Sequence, residues 1–252
     1  MKSSRMVLGL VLLAVAIIVT AIFPQHSPPP SQTPSTEEQT TSSSPMEHGP
    51  MGRHQIALTF DAEGGDEDMA DLLSALQDGR VSATFFLTGK WADEHPAWAS
   101  LIADSCHIIG NHSWGHRDPS QMEAWEVQQE VMRVEDRFVS LYGTQYRKLY
   151  RLPYPVNSAP VHQLVKSLGY HIVGWSIDSL DDSPPPKSAA FITNRILQHS
   201  NEDLDGAILH FTIGKPDTVA SLPAIIAALR DRGFEFATIA DWIPEAEVIP
   251  PQ

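Results

Sequence analysis

From His54 onward, short runs of Ile, Val, Leu and Phe alternate with longer stretches in which apolar residues recur every three or four positions. The short runs predict strands at residues 56–60, 83–87, 108–110, 149–151, 172–177, 207–210 and 235–238. Their brevity and their β-branched and aromatic content suit strands better than helices. The longer stretches predict helices at 66–77, 122–142, 159–168, 189–199 and 218–232. In the longest of these, Trp125, Val131, Phe138 and Leu141 form an apolar stripe. Strands alternating with helices imply parallel βαβ units, an α/β fold. A closed or nearly closed barrel is the simplest arrangement of seven such strands, and in barrels the chemistry sits at the strands' C-terminal ends.

Before His54 the pattern changes twice. Residues 6–23 carry no charge and follow Lys2 and Arg5. As a helix this run would nearly match a bilayer's hydrocarbon thickness. It reads as an uncleaved signal anchor or as a signal peptide cut after Val19-Thr20-Ala21. In both cases the basic flank stays inside and the rest is exported, either membrane-anchored or secreted. Residues 24–53 then hold 7 Pro, 6 Ser and 4 Thr, with no Leu, Ile, Val or aromatic residue. Such a stretch buries too little surface to offset its ordering entropy, so a disordered linker is expected. As a flexible coil it would reach on the order of 30 Å. The domain division is thus 1–23, 24–53 and a folded domain at 54–252.

Composition narrows the function. Hydrophobic residues make up 42% of the 252-residue chain, enough for a true core. A formal net charge of -14 argues against nucleic acid, whose phosphates require basic patches. Cys106 is the single cysteine, so stability must come from packing rather than disulfides. No obligate protein partner is evident.

Five predicted strands end in polar residues able to do chemistry. The first runs into Asp61-Ala62-Glu63-Gly64-Gly65, where Asp61 alone would be explained by an Asx turn or a cap. The third runs into His112-Ser113-Trp114-Gly115-His116. Two histidines four apart lie on one face of a helical turn, so both can converge on one metal, although Ser113 stands where a zincin would carry its glutamate. The fourth ends in Arg151-Leu152-Pro153-Tyr154-Pro155, whose prolines fix the backbone around Tyr154. The fifth leaves through Asp178-Ser179-Leu180-Asp181-Asp182, an acidic cluster that needs a cationic partner if buried, and the sixth ends at His210. Coincidence at five strand ends favours an active site.

Residues 54–242 resemble the polysaccharide deacetylase family, the NodB homology domain of carbohydrate esterase family four. The resemblance rests on five segments in order: Ala57-Leu58-Thr59-Phe60-Asp61, Gly110-Asn111-His112-Ser113-Trp114-Gly115-His116, Arg151-Leu152-Pro153-Tyr154, Asp178-Ser179-Leu180-Asp181 and Ile208-Leu209-His210. It implies a distorted (β/α) barrel of about seven strands and a metal-dependent hydrolysis of N-acetyl groups on an amino-sugar polymer. By that resemblance His112 and His116 bind a divalent metal, zinc or another. Asp61 is the general base and His210 the acid, Arg151 pairs with Asp181 to hold the base, and the Tyr154 backbone N–H helps bind the oxyanion.

Ala62 departs from the pattern, because it stands where the family supplies an aspartate to the metal. Glu63, Asp66 or a water is left to take that place. Asp182 replaces a common tryptophan, and Phe211 a common aspartate. The expected protein is an exported, membrane-tethered deacetylase of an N-acetylated glycan, with cell-wall peptidoglycan first. Chitin-like polymers, poly-N-acetylglucosamine and acetylated xylan stay open. The alternative is a non-catalytic glycan-binding domain of the same fold.

Overall fold

In chain order the elements are β1 (Gln55–Ala62), α1 (Met69–Asp78), β2 (Thr84–Leu87), α2 (Gly89–Glu94), α3 (Pro96–Asp104), β3 (Ile108–Asn111), α4 (Ala124–Tyr142) and β4 (Tyr146–Tyr150). There follow α5 (Ala159–Ser167), β5 (His171–Ile172), β6 (Ile177–Asp178), α6 (Ala189–Leu197), α7 (Asn201–Leu204), β7 (Ile208–Thr212), α8 (Pro216–Asp231) and β8 (Glu235–Phe236). These belong to a computed structural model that describes residues 44–155 and 157–244. The expected anchor or signal segment at 6–23 lies outside the described residues, as does the linker through residue 43. Among the described residues no helix is long and apolar enough to cross a membrane.

The strands form one parallel sheet in the order β5-β4-β3-β2-β1-β7-β6, with β8 pairing β1. The expected single strand at 172–177 is therefore two strands at opposite edges of the sheet. His171–Ile172 pairs with β4 and Ile177–Asp178 pairs with β7. The intervening residues 173–176 bring the two edges together, which curls the sheet into an incomplete (β/α) barrel with a seam. Residues 44–53 are not free of the domain, contrary to the expected linker boundary. Met46 N–H donates to the Ile172 carbonyl at 2.8 Å, and Gly174 N–H to the Met46 carbonyl at 2.9 Å, so this segment lies along the seam.

Alternation along β1 sorts the two faces. Ile56, Leu58, Phe60 and Ala62 join the layer between sheet and helices, where the Phe60 ring stacks with Phe85 at 5.1 Å and Phe211 at 5.4 Å. Ala57 faces inward with Phe86, Ile108, Leu149, Val173 and Ile208, a smaller apolar cluster that fills the barrel floor. Thr59 and Asp61 follow on that inner face, so the interior turns from apolar to charged toward the strands' C-terminal ends. Gly110 lets this layer close, since a Cβ there would stand 2.7 Å from the Phe86 ring.

On α4 the buried stripe is Val127, Val131, Val134, Phe138 and Tyr142. Trp125 and Leu141, expected on that stripe, are exposed. Trp125 falls off the i, i+4, i+7 rows that set the buried face, whereas Leu141, seven residues after Val134, lies at that face's edge.

Candidate active site

Asp61 lies one residue from the end of β1, on the inner face and nearly buried. Its Oδ1 accepts from Arg151 Nη1 at 2.8 Å, and its Oδ2 stands 3.0 Å from His210 Nε2 and 3.6 Å from His112 Nε2. Burial by itself raises the pKa of this carboxyl. The positive charge of Arg151, with His112 and His210, outweighs that and holds it far below the usual carboxylate range.

Arg151 follows β4 and has no exposed surface. A buried guanidinium is costly unless its donors are used. Here Nη1 also reaches Thr59 Oγ1 at 2.9 Å, Nη2 donates to the Gly174 carbonyl at 2.8 Å and Nε to the Val173 carbonyl at 3.4 Å. The seam carbonyls thus satisfy the arginine, which in turn fixes Asp61.

The expected Arg151–Asp181 pair is not formed. Asp181 Oδ2 instead accepts from the Thr212 N–H at 2.9 Å and from Thr218 Oγ1 at 2.7 Å, and its Oδ1 is buried without a hydrogen bond among the described residues. Burial pushes the Asp181 pKa up. The residue ties β7 to α8 and does not touch Arg151 or Asp61.

Asp178, named in the sequence within the acidic cluster and the fourth segment but given no role of its own, does touch the site. Its Oδ1 lies 3.3 Å from His210 Nδ1. Trp175 stacks on the same imidazole, with ring centroids 4.3 Å apart and planes 17° from parallel. Burial lowers the His210 pKa, but the charge of Asp61 and the bonds to both carboxylates carry it up to about 9. Asp61 and His210 thus hold each other charged, one as carboxylate and the other as imidazolium.

His112 follows β3, and its Nδ1 lies 2.9 Å from the Arg151 carbonyl. A carbonyl only accepts, so Nδ1 carries the proton and Nε2 faces the cavity with a lone pair. Burial lowers the His112 pKa and so favours the neutral, ligating form. His116 sits across from it with ring centroids 4.8 Å apart, and Glu63 touches His116 Nε2. Burial raises the Glu63 pKa, yet the bond and charge of His116 outweigh it and leave the carboxylate lowered.

One ligand atom each from Glu63, His112 and His116 lie within 4.8 Å of one another. Two imidazole nitrogens and one carboxylate oxygen facing a cavity fit the composition of hydrolytic zinc sites with an open fourth position. Asp66 is committed elsewhere, to His95 Nδ1 at 3.0 Å and Trp98 Nε1 at 2.9 Å. Ala62 has no exposed surface and points into the sheet–helix core.

Tyr154 is half exposed at the rim, its ring 5.1 Å from that of His116. The cavity above the site measures about 600 Å³. A second of about 440 Å³ adjoins it, sharing Leu152, Tyr154, Pro155 and Trp175, and is lined also by Ser44, Pro45 and Glu47.

A sequence model described as polysaccharide deacetylase matches residues 48–173. The peptidoglycan-N-acetylmuramic acid deacetylase PdaA of Bacillus subtilis is 30% identical over 194 residues, which are 77% of this chain and 73% of that protein. A solved structure of Bacillus subtilis PdaA, a family 4 carbohydrate esterase, superposes with a TM-score of 0.73 over 81% of this chain and 87% of that one. A peptidoglycan-N-acetylglucosamine deacetylase of Bacillus cereus is 31% identical over 195 residues, 76% of this chain and 69% of that protein. A family 4 pseudoenzyme from Bacillus anthracis shares the fold at a TM-score of 0.73 and 22% identity, covering 81% of this chain and 70% of that one. With the match spanning half the chain and two relatives at this identity, the chain belongs to the polysaccharide deacetylase family.

Proposed function

We propose that the protein is a metal-dependent hydrolase that removes N-acetyl groups from an amino-sugar polymer, cell-wall peptidoglycan in the first instance. The observation that carries this reading is the donor set of Glu63, His112 and His116 beside Asp61, which is itself bonded to His210. Since a related fold occurs in a pseudoenzyme, the argument rests on these side chains rather than on the fold.

A divalent ion at this donor set, zinc by its composition, would supply Lewis acidity to the amide carbonyl and to a nucleophilic water. The chain's own groups do the rest. Asp61, ionised and held by Arg151, takes a proton from the water as its oxygen attacks the acetyl carbon. By the family resemblance, the Tyr154 N–H steadies the negative charge on the carbonyl oxygen. His210, protonated at neutral pH, gives its proton to the amide nitrogen as the carbon–nitrogen bond breaks. Acetate and a free amine result. Asp178 and Trp175 orient the imidazole for that transfer.

The substrate reading draws on the relatives' activities and on the two adjoining cavities at the donor set. Export, with the head tethered to a membrane, draws on the uncharged run at 6–23 behind Lys2 and Arg5.

The test is acetate release from peptidoglycan, chitin oligomers, poly-N-acetylglucosamine and acetylated xylan, with and without chelator. Release from peptidoglycan that chelator abolishes and zinc restores is expected. Glycan binding without acetate release from any of the four would refute the hydrolase and leave the non-catalytic alternative. Protease added outside intact cells should also free the head. Recovery of the whole chain in the cytosol would overturn the export reading.

A further inference from the structure

Asn111, the last residue of β3, is fully buried and directly precedes His112. Its Oδ1 accepts the Ser113 N–H at 2.9 Å, while Nδ2 donates to the Val131 carbonyl at 3.0 Å and to the Tyr170 hydroxyl at 3.2 Å. The Val131 carbonyl can only accept, so the NH₂ end must face α4 and the oxygen must face Ser113. The Tyr170 hydroxyl, having accepted from Asn111, keeps its own proton for Glu135 Oε2 at 2.9 Å. Tyr146 meets the same hydroxyl at 2.5 Å, and Lys148 Nζ pairs with the other Glu135 oxygen at 2.9 Å. The proposed chemistry uses none of these five side chains. A buried polar network of this kind is seldom the most stable filling of a core, so a positional role is worth seeking.

The loop it grips is strained. Ser113 has φ +65° and His116 φ +54°, both in the left-handed region that side-chain-bearing residues rarely adopt. Such conformations persist where the surroundings over-determine them. Asn111 holds the Ser113 N–H, and the Ser113 hydroxyl accepts the His116 N–H at 3.0 Å, so the hold passes from one residue to the other.

We infer that Asn111 is the positioning residue for the His112/His116 pair, and that the buried Tyr170–Glu135 chain locks its amide in the orientation that grips Ser113. This rests on the metal reading of the site, where supports behind the ligands commonly change affinity by roughly 10–100-fold.

The experiment measures zinc dissociation constants of the full chain by competition with a chromophoric chelator, alongside thermal midpoints. Asn111→Asp sets an oxygen against the Val131 carbonyl and should weaken zinc by roughly 10–100-fold. Tyr170→Phe keeps the ring and removes one partner of Nδ2. It should weaken zinc roughly tenfold, and it preserves the test if Asn111→Asp does not fold. Val134→Ala is the control, a buried α4 residue outside the network that should lower the midpoint and leave zinc affinity unchanged. Network variants that fold and bind zinc as tightly as the parent would overturn the inference. So would a Val134→Ala variant that loses as much affinity as they do. A parent chain that takes up no zinc would overturn the metal reading and this inference together.

Discussion

Placing an aspartate at position 62, as the family pattern would have it, tests the reading of the first strand. Ala62 has no exposed surface, its Cα is registered against Leu87, and its side chain joins the core between sheet and helices. Asp61 and Glu63, its neighbours, face the other way. Ala62→Asp would therefore put a carboxyl among apolar side chains rather than at the metal. Keeping such a group neutral at pH 7, against an ordinary pKa of ~3.9, costs about 4 kcal/mol at ~1.36 kcal/mol per unit. Overpacking adds about 1–3 kcal/mol that does not vary with pH. The sign of the pH effect follows from the raised pKa of the buried acid. The unfolded chain ionises above pH ~3.9 and the folded one does not, so the penalty grows with pH and shrinks to about 1.5 kcal/mol at pH 5. Urea unfolding of parent and variant at pH 5 and 7 measures the difference, and zinc competition on the same samples measures affinity. A variant as stable as its parent that binds zinc more tightly would refute the argument. Residue 62 would then face the metal, and Glu63 would lose its assignment.

Glu63→Gln, which keeps the size and removes the charge, should weaken zinc by roughly 10–100-fold by chelator competition, while Asp66→Asn should leave it unchanged. Asp178→Asn removes one of the two carboxylates that hold the His210 pKa near 9. The alkaline limb of the acetate-release pH profile should then move down by on the order of one unit. His107 is buried, its Nδ1 accepts the Ala83 N–H at 3.1 Å, and burial lowers its pKa to about 4. Below pH ~6.5 the unfolded chain takes up this proton and the folded chain does not, so stability should fall by up to about 3 kcal/mol between pH 6.5 and 4. His107→Leu should flatten that part of the urea-midpoint curve. Gly110→Ala should cost about 1–3 kcal/mol in the same assay, by driving a methyl against the Phe86 ring.

Much of this protein was legible along the chain because the information is local. Period-two alternation in Ala57, Thr59 and Asp61 already sends one apolar, one hydroxyl and one acidic side chain to the same face of β1, in that order toward its C-terminal end. The four-residue spacing of His112 and His116 marks them as a pair, although they meet on a non-helical loop with positive φ at Ser113 and His116 rather than on a helical turn. The termination of apolar runs at Asp61, Arg151 and His210 marks the catalytic end of the sheet without any knowledge of strand order.

Partnership across the sheet was decided only by the tertiary structure. Arg151 and Asp61 are 90 residues apart, and they meet because the seam carbonyls of Val173 and Gly174 hold the guanidinium in the barrel interior. The motif resemblance paired Arg151 with Asp181, but β6 runs beside β7, which delivers Asp178 to His210 and leaves Asp181 to Thr212 and Thr218. The split of residues 172–177 into two strands is invisible to periodicity, because each half obeys the strand pattern and only the pairing with β4 and β7 separates them. Ala62 and Glu63 differ by one step of the pleat, and that step sends one into the core and the other to the histidines. A local pattern sets which face a side chain takes, whereas its partner depends on long-range strand order and register, which no single segment encodes.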